Sequence, residues 1–456
     1  MKVSRYNYYI EEEKYVICYN TLYDCFLLIS NSDYVLLLSG NLELLRNKSE
    51  DLYDNLVKNG FVIEENVDEY ELLKEEYDNY VYHSTNFELT LLPTLDCNLR
   101  CWYCYEKHKV GSRIQPGVQP SILKYIRQQF LEKDYLESLS VTMYGGEPLL
   151  YFKEELYPLL LALKELAEGL GKRVSFFFIT NAVCINEELI PLFNNLNASF
   201  QISIDGYREK HNKVKFIPNT KEGTFDHVMK VVHLLTENLD NVYINLRINY
   251  DDNTLPHLTE LIKEIDDIDR RKIGIHFERV WQTSCKLVNY NNKQLYGIIE
   301  EFINKGFKIS YMNLSRKSLS CKSSSYNQLI ISYDGKVYKC TGRDFTDNFS
   351  DGCINTDGSV SWKKEQVDRR MNICTFDNDQ CRKCKFLPQC WGPCNQKLLE
   401  SNNVSMFCPL KKEGSMIKIP RRRFLGVSPE VEKAVREIIE ENITEYFNVE
   451  FDIRRK

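Results

Sequence analysis

Between residue 84 and about residue 280, short apolar runs alternate with helical patterns, and no other feature restricts the possible folds as much. Six runs rich in Val, Ile and Phe read as strands: Phe87 to Thr94, Ser140 to Tyr144, Arg173 to Thr180, Ser199 to Ile204, Val242 to Ile248 and Ile273 to Val280. Strands separated by helical segments are the mark of parallel β/α units. Between the first two, Ile122, Leu123, Ile126 and Phe130 recur at helical spacing behind Ser121, the expected N-cap. In parallel sheets and barrels the reactive groups collect in the loops after the C-terminal ends of strands. Those loops are therefore the places to look for chemistry.

The loop after the first strand carries Cys97-Asn-Leu-Arg-Cys101-Trp-Tyr-Cys104. Three thiolates on one short loop suit an iron-sulfur cluster and leave one iron without a protein ligand. A zinc loop is the alternative, but zinc sites usually pair two CxxC-like hairpins. The chain has 16 cysteines and no apolar N-terminal segment between Met1 and Lys14, so a cytoplasmic location is expected, where cysteines serve metals or catalysis rather than disulfides. No run of 18 apolar residues suggests a membrane span. A net charge of -6 argues against a nucleic-acid track, and the run Arg421 to Arg423 is too short to change that.

The triplet spacing, with Tyr103 just before its last cysteine, resembles the signature of the radical S-adenosylmethionine (radical SAM) enzymes. That resemblance implies a partial (β/α)6 barrel, TIM-like and of the α/β class, over residues 84–310. It implies a 4Fe-4S cluster on Cys97, Cys101 and Cys104, with S-adenosylmethionine bound at the open iron. The segment Tyr144-Gly145-Gly146-Glu147-Pro148 follows the second strand and resembles the family's GGEP motif. By resemblance Gly145, Gly146 and Glu147 would hold the amino group of S-adenosylmethionine. Further strand ends offer Thr180-Asn181, Ser203-Ile204-Asp205-Gly206 and Arg247. Ser203 and Asp205 look like the family's ribose-contacting stretch, and the Arg247 guanidinium is suited to a carboxylate. Asn181 and Tyr103 complete the expected cofactor contacts. His211 reads as a satisfied surface or rim histidine. One electron from the cluster would cleave S-adenosylmethionine, and the 5′-deoxyadenosyl radical would take a hydrogen atom from substrate.

A second cysteine set follows: Cys321, Cys340, Cys381, Cys384, Cys390, Cys394 and Cys408. With thirteen residues between Cys321 and Gly335 and four between Gly335 and Cys340, the pattern resembles the SPASM domain of peptide-modifying radical enzymes, over residues 311–414. The resemblance implies two auxiliary 4Fe-4S clusters, three clusters in all: Cys321, Cys340 and Cys394 for the first, Cys381, Cys384, Cys390 and Cys408 for the second. The first set has only three certain thiolates, so Cys353 or Cys374 completes it or an iron stays open. A zinc ribbon is the alternative for this region. Cys184 and Cys285 fit no motif and read as structural.

Residues 1–83 show strand-like runs at Tyr6 to Ile10, Tyr15 to Tyr19 and Cys25 to Ser30, then helical stretches near Tyr34 to Leu38 and Ser49 to Asn59. Their order resembles the winged-helix-like element that grips leader peptides, a structural cap being the alternative. Cys18 and Cys25 are expected in its core. From Ser428, with Pro429 at the first helical position, Val431, Val435, Ile438, Ile439, Ile443 and Phe447 mark an amphipathic helix within 415–456.

The resemblances imply a maturase that installs a thioether or carbon-carbon crosslink in a ribosomally made precursor peptide bearing a leader. A reducing partner such as flavodoxin or ferredoxin would supply electrons. An anaerobic sulfatase-maturating enzyme, which makes formylglycine, is the alternative. Those enzymes carry an aspartate directly after the second cysteine of the SPASM pattern, where this chain has Thr341, with Asp344 nearby as a conceivable base. A non-catalytic iron-sulfur carrier is the third reading, and it has no use for an open iron or an amino-group clamp.

Overall fold

A computed structural model describes residues 1–280, 292–310, 321–373, 375–392 and 394–400. Cys285, Cys374, Cys408, the Arg421 to Arg423 run and the expected helix after Ser428 lie outside the described residues. The chain divides into two compact units. The larger holds residues 82–312 and 325–368; the smaller holds 1–81, 313–324 and the chain from 369 onward.

The larger unit is built on one sheet. Eight of its strands run parallel to one another: β1 (Asn86–Leu92), β2 (Ser138–Met143), β3 (Arg173–Thr180), β4 (Ala198–Asp205), β5 (Ile244–Tyr250), β6 (Ile273–Arg279), β7 (Lys308–Ser310) and β8 (Gln328–Ser332), the last also pairing antiparallel with Lys336–Tyr338. Their spatial order is β7-β6-β5-β4-β3-β2-β1-β8. The sheet is open, with β1 to β6 forming the partial barrel and β8 joining beside β1. The six strands read from sequence are all present, each end within two residues of the expected one.

Parallel strands buried on both faces read as continuous apolar runs. These alternate instead. On one face Phe87, Leu89, Val141, Phe176, Phe178, Phe200, Ile202, Leu246 and Ile275 are buried in a core shared with helices α1 (Val118–Glu132), α2 (Tyr157–Gly169) and α5 (Phe225–Asn238). On the other, the register aligns Thr90 with Thr142, Gln201 with Asn245, Ser203 with Arg247 and Arg247 with His276, all partly exposed. A closed (β/α)8 barrel fills its interior with branched apolar side chains. This interior is polar and open, so it can receive a ligand.

Helix α1 begins earlier than expected. Its N-cap is Gly117, at φ 90°, and Ser121 lies inside the helix with its hydroxyl donating to the Gly117 carbonyl at 2.8 Å. Ser121 is therefore not the cap: a serine one turn into a helix finds an i−4 carbonyl instead. Helices α3 (Ile190–Leu196) and α4 (Arg208–Val214) lie on either side of β4 in the chain.

In the smaller unit, Asn7–Glu11, Tyr15–Asn20 and Cys25–Ser30 form a three-stranded antiparallel sheet. Helices Asn31–Leu38 and Glu50–Lys58 follow, capped by the Ser30 and Ser49 side chains. Helices Leu42–Lys48 and Glu69–Tyr82 were not evident from periodicity. Val16, Cys18, Leu27, Leu45, Leu52, Leu56 and Phe61 make the core. Cys18 is fully buried as expected; Cys25 is only partly buried, its thiol donating to the Tyr23 carbonyl at 3.3 Å. A second cluster joins Tyr6, Tyr70, Leu73 and Tyr77 to Phe376, Leu387 and Trp391 of the same unit.

Candidate active site

The triplet loop leaves the C-terminal end of β1, where parallel-sheet sites form. Its approach is laced to the turn after β2: Gly146 N donates to the Thr94 carbonyl at 3.2 Å and Glu147 N to the Asp96 carbonyl at 2.8 Å. The glycines are needed there. A Cβ on Gly146 would sit 2.0 Å from the Asp96 oxygen, and one on Gly145, at φ 111°, would sit 2.6 Å from the Thr94 oxygen. What approaches these glycines is thus the backbone that carries the triplet.

Glu147 is tied into the same strand ends. Its side chain has no exposed surface, and its oxygens accept from Leu149 N at 3.1 Å, Thr180 Oγ1 at 2.7 Å and Asn181 N at 2.8 Å. It pins the end of β2 to the end of β3. Burial pushes its carboxyl up to about 7, and the three hydrogen bonds oppose that.

Asn181 reaches the triplet itself. Its amide donates to Asn98 Oδ1 at 2.8 Å and lies 3.7 Å from Cys97 Sγ. Asn98 in turn contacts Cys184 Sγ at 3.5 Å, so Cys184, expected to be merely structural, belongs to the wall of this loop. Burial raises the Cys97 and Cys101 thiols above their ordinary value and Cys104 to about 11.

Tyr103 points to β4 and β5. Its hydroxyl donates to Asp205 Oδ1 at 2.6 Å and accepts from Asn249 Nδ2 at 3.1 Å. Arg247 Nε donates to Asn249 Oδ1 at 3.2 Å, and Arg247 faces Glu278 at 3.8 Å, which His276 meets at 3.1 Å. The far oxygen of Asp205 pairs with Lys215, 2.9 Å away, each side chain 4% exposed. His211 is wholly buried rather than at a surface or rim. Its Nδ1 accepts from Asp205 N at 3.2 Å, its Nε2 meets Thr224 Oγ1 at 3.0 Å, and burial pulls it down to about 3, so it is neutral. Ser203 contributes its carbonyl to Lys215 Nζ at 3.2 Å.

On the other side of the loop, Tyr105 donates to the Thr341 carbonyl at 2.9 Å and meets the Tyr144 hydroxyl. Lys107 binds Asp344 through its backbone N at 2.9 Å and its ammonium at 3.0 Å. Asp344 therefore stands beside the triplet loop, with Glu106 near it. Burial first, and then Asp344, raise Glu106 to about 7 against a bond from Tyr144. Sequence reasoning missed Glu106, Asn98, Asn249 and Lys215. Only Lys215, a charge between Val214 and Phe216, carried a visible signal.

Among the described residues no three His, Cys, Asp or Glu side chains converge on one ion. A four-iron cube asks for something else, three thiolates each on its own iron. The triplet fits that demand: three thiols within eight residues and no carboxylate between them. Of the second set, Cys340 belongs to the larger unit, where its sulfur accepts from Gly342 N at 3.3 Å; Cys353 stands on the strand Gly352–Ile354 of the same sheet. Cys321, Cys381, Cys384, Cys390 and Cys394 belong to the smaller unit. There Cys384 N closes a turn on the Cys381 carbonyl at 2.9 Å.

Residues 91–262 match the family model described as the Radical SAM superfamily. The cysteine-type anaerobic sulfatase-maturating enzyme of Clostridium novyi (strain NT) is 23% identical over 349 residues, covering 69% of this chain and 90% of that protein. The crystal structure of anSMEcpe with bound AdoMet and the Cp18Cys peptide superposes with a TM-score of 0.55 at 19% identity, covering 77% of this chain and 99% of that one. Streptococcus suis SuiB bound to precursor peptide SuiA aligns over 88% of this chain and 97% of that one, at 15% identity and a TM-score of 0.49. The matched segment takes in β1 to β5, the cysteine triplet and the Gly145-Gly146-Glu147 turn, so this part of the chain is similar to the Radical SAM superfamily.

Proposed function

We propose that this protein is a radical SAM maturase of the SPASM type, which installs a thioether or carbon-carbon crosslink in a ribosomally made precursor peptide. The observation that carries the reading is the triplet loop seated over a polar, open sheet interior, with Tyr103, Asn249 and Arg247 linked beneath it. Cys97, Cys101 and Cys104 hold the 4Fe-4S cluster. When bound, that cluster and S-adenosylmethionine supply a 5′-deoxyadenosyl radical that takes a hydrogen atom from the substrate. Asn181 steadies the Cys97 side of the loop and Tyr103 ties the other side to β4 and β5. Arg247, only loosely held by Glu278, is free in direction to take a carboxylate. Ser203, Asn245 and Gln201 offer hydrogen bonds that suit a peptide better than an apolar ligand.

The smaller unit's antiparallel sheet and helices, at residues 1–81, fit a leader-binding module. The second cysteine set would hold auxiliary clusters, and a flavodoxin or ferredoxin would reduce the enzyme. A peptide or protein substrate is supported by two relatives: one is named for sulfatase maturation and another was crystallised with the Cp18Cys peptide.

The sulfatase-maturating reading draws on the same relatives and on Asp344, held by Lys107 beside the triplet. The absent aspartate at Thr341 counts against it. A reaction in vitro decides between the two. Anaerobically reconstituted enzyme incubated with a reductant, S-adenosylmethionine and the peptide encoded beside its gene should yield 5′-deoxyadenosine and a peptide two mass units lighter with a new crosslink. Formylglycine on a sulfatase peptide would favour the second reading, and loss of neither iron nor cleavage on changing Cys97, Cys101 and Cys104 to Ala would overturn both.

A further inference from the structure

Lys215 is the only ammonium among the described residues whose side chain is 4% exposed and paired with an equally buried carboxylate. It follows α4 and is fixed from behind: its N donates to the His211 carbonyl at 2.7 Å, and its carbonyl accepts from Thr224 N at 3.2 Å and Thr224 Oγ1 at 3.0 Å. Its ammonium reaches the Ser203 carbonyl and Asp205 Oδ2. No hydrogen bond reaches that oxygen in good alignment, so the contact works through charge more than direction. His211, which accepts from Asp205 N, is neutral and does not compensate the carboxylate, and Tyr103 meets Asp205 Oδ1 as a neutral donor. Asp205 Oδ1 in turn accepts from Tyr103, which stands between Cys101 and Cys104, so the pair lies against the triplet loop.

Building on the function proposed above, we propose that Lys215 and Asp205 are a buried charge pair whose balance holds the reduction potential of the cluster on Cys97, Cys101 and Cys104, so that removing either charge alone shifts it. The physical reason is that cluster potentials follow the net charge and hydrogen bonding around them, and a charge out of water acts at several times its strength in water. The cluster gains a negative charge on reduction. Lys215 favours that gain, Asp205 opposes it, and the intact pair nearly cancels.

The test is redox-poised EPR on anaerobically reconstituted full-length protein, with and without S-adenosylmethionine; the iron signal that this ligand perturbs identifies the triplet's cluster among any others. Lys215→Met should lower the reduced fraction at a fixed poise at least tenfold, about 59 mV for a one-electron couple. Asp205→Asn should raise it by a similar factor. The double variant Asp205→Asn/Lys215→Met should return to within about threefold of wild type, and Lys215→Arg should stay near it. Opposite shifts from two partners are not produced by a merely structural role. The proposal is overturned if folded, iron-loaded single variants both keep the wild-type reduced fraction or both move the same way. Should Lys215→Met fail to fold, Asp205→Asn against the double variant still decides the sign. If wild-type protein shows no iron signal that S-adenosylmethionine perturbs, the functional reading falls and this proposal with it.

Discussion

The two cysteine regions are built on different principles. The triplet loop is placed by a parallel sheet: Thr94, Asp96, Gly146, Glu147, Asn181 and Asp205, drawn from the ends of four strands, hold it through hydrogen bonds that span up to about a hundred residues of sequence. The region around Cys381, Cys384 and Cys390 has no sheet beneath it: its turns are local, and it is tied to the N-terminal residues of the same unit, with Arg5 donating to the Arg382 carbonyl, Thr21 to the Lys385 carbonyl and Tyr70 to the Phe376 carbonyl. Asn378 caps a four-residue helix, Cys384 turns back on Cys381, and a second four-residue helix ends at Cys390. Phe376, Leu387 and Trp391 supply its apolar anchor. The lesson is that a cofactor loop on a large sheet can be arranged before its metal arrives, whereas a loop-rich region depends on metal for part of its folding energy.

That contrast can be broken or sharpened by experiment. The largest effect is expected on changing Cys97, Cys101 and Cys104 together to Ala: S-adenosylmethionine cleavage falls to background and about four irons are lost, while thermal unfolding of the larger unit barely moves. Changing Cys381 and Cys384 to Ala should do the reverse to stability. Amide exchange over 375–400 should lose protection worth several kcal/mol in the metal-loaded protein, with β1 to β6 unaffected. Equal losses in both regions would show that the two are not built differently.

Within the sheet-borne region, Lys215→Ala leaves Asp205 buried without its partner and should cost about 3–5 kcal/mol in denaturant unfolding. Gly146→Ala places a methyl group against the Asp96 carbonyl and should cost about 1–3 kcal/mol, along with iron retention. The smallest effect is a pH dependence. Glu147 has its folded-state carboxyl raised from 4.5 to about 7, so the folded state holds its proton more tightly than the unfolded chain. Its contribution is therefore fully present below about pH 4.5 and is lost as pH rises through about 7. The stability of metal-free wild type relative to Glu147→Gln should fall over that window by no more than about 3 kcal/mol, read as melting temperature against pH.

The six barrel strands were legible because burial of one face imposes a pattern of Val, Ile and Phe that survives in any context. The triplet was legible because chemistry restricts the residue type and spacing on a single loop. The start of α1 was misplaced because a serine resembles a cap whether or not the helix begins there, and only backbone geometry distinguishes Gly117 from Ser121. Leu42–Lys48 escaped because seven residues hold barely two turns of periodicity. The partners of Glu147 were not legible because its motif contains no record of Thr180, Asn181 and Leu149 closing around it. His211 looked like a surface residue because polarity alone cannot reveal two internal hydrogen-bond partners.

By itself the sequence determined the parallel β/α order of the larger unit, the thiol donors after β1 and the three strands within residues 7–30. Each is a local property, written in residue type and short-range spacing. Only the tertiary structure decided that the sheet interior is polar and open, that Asp344 stands beside Lys107, and that Lys215 and Asp205 are paired and buried beside Tyr103. Those facts depend on which residues from distant strands meet and on how much water is left between them. Burial and pairing are properties of the packed chain, so no local pattern encodes them.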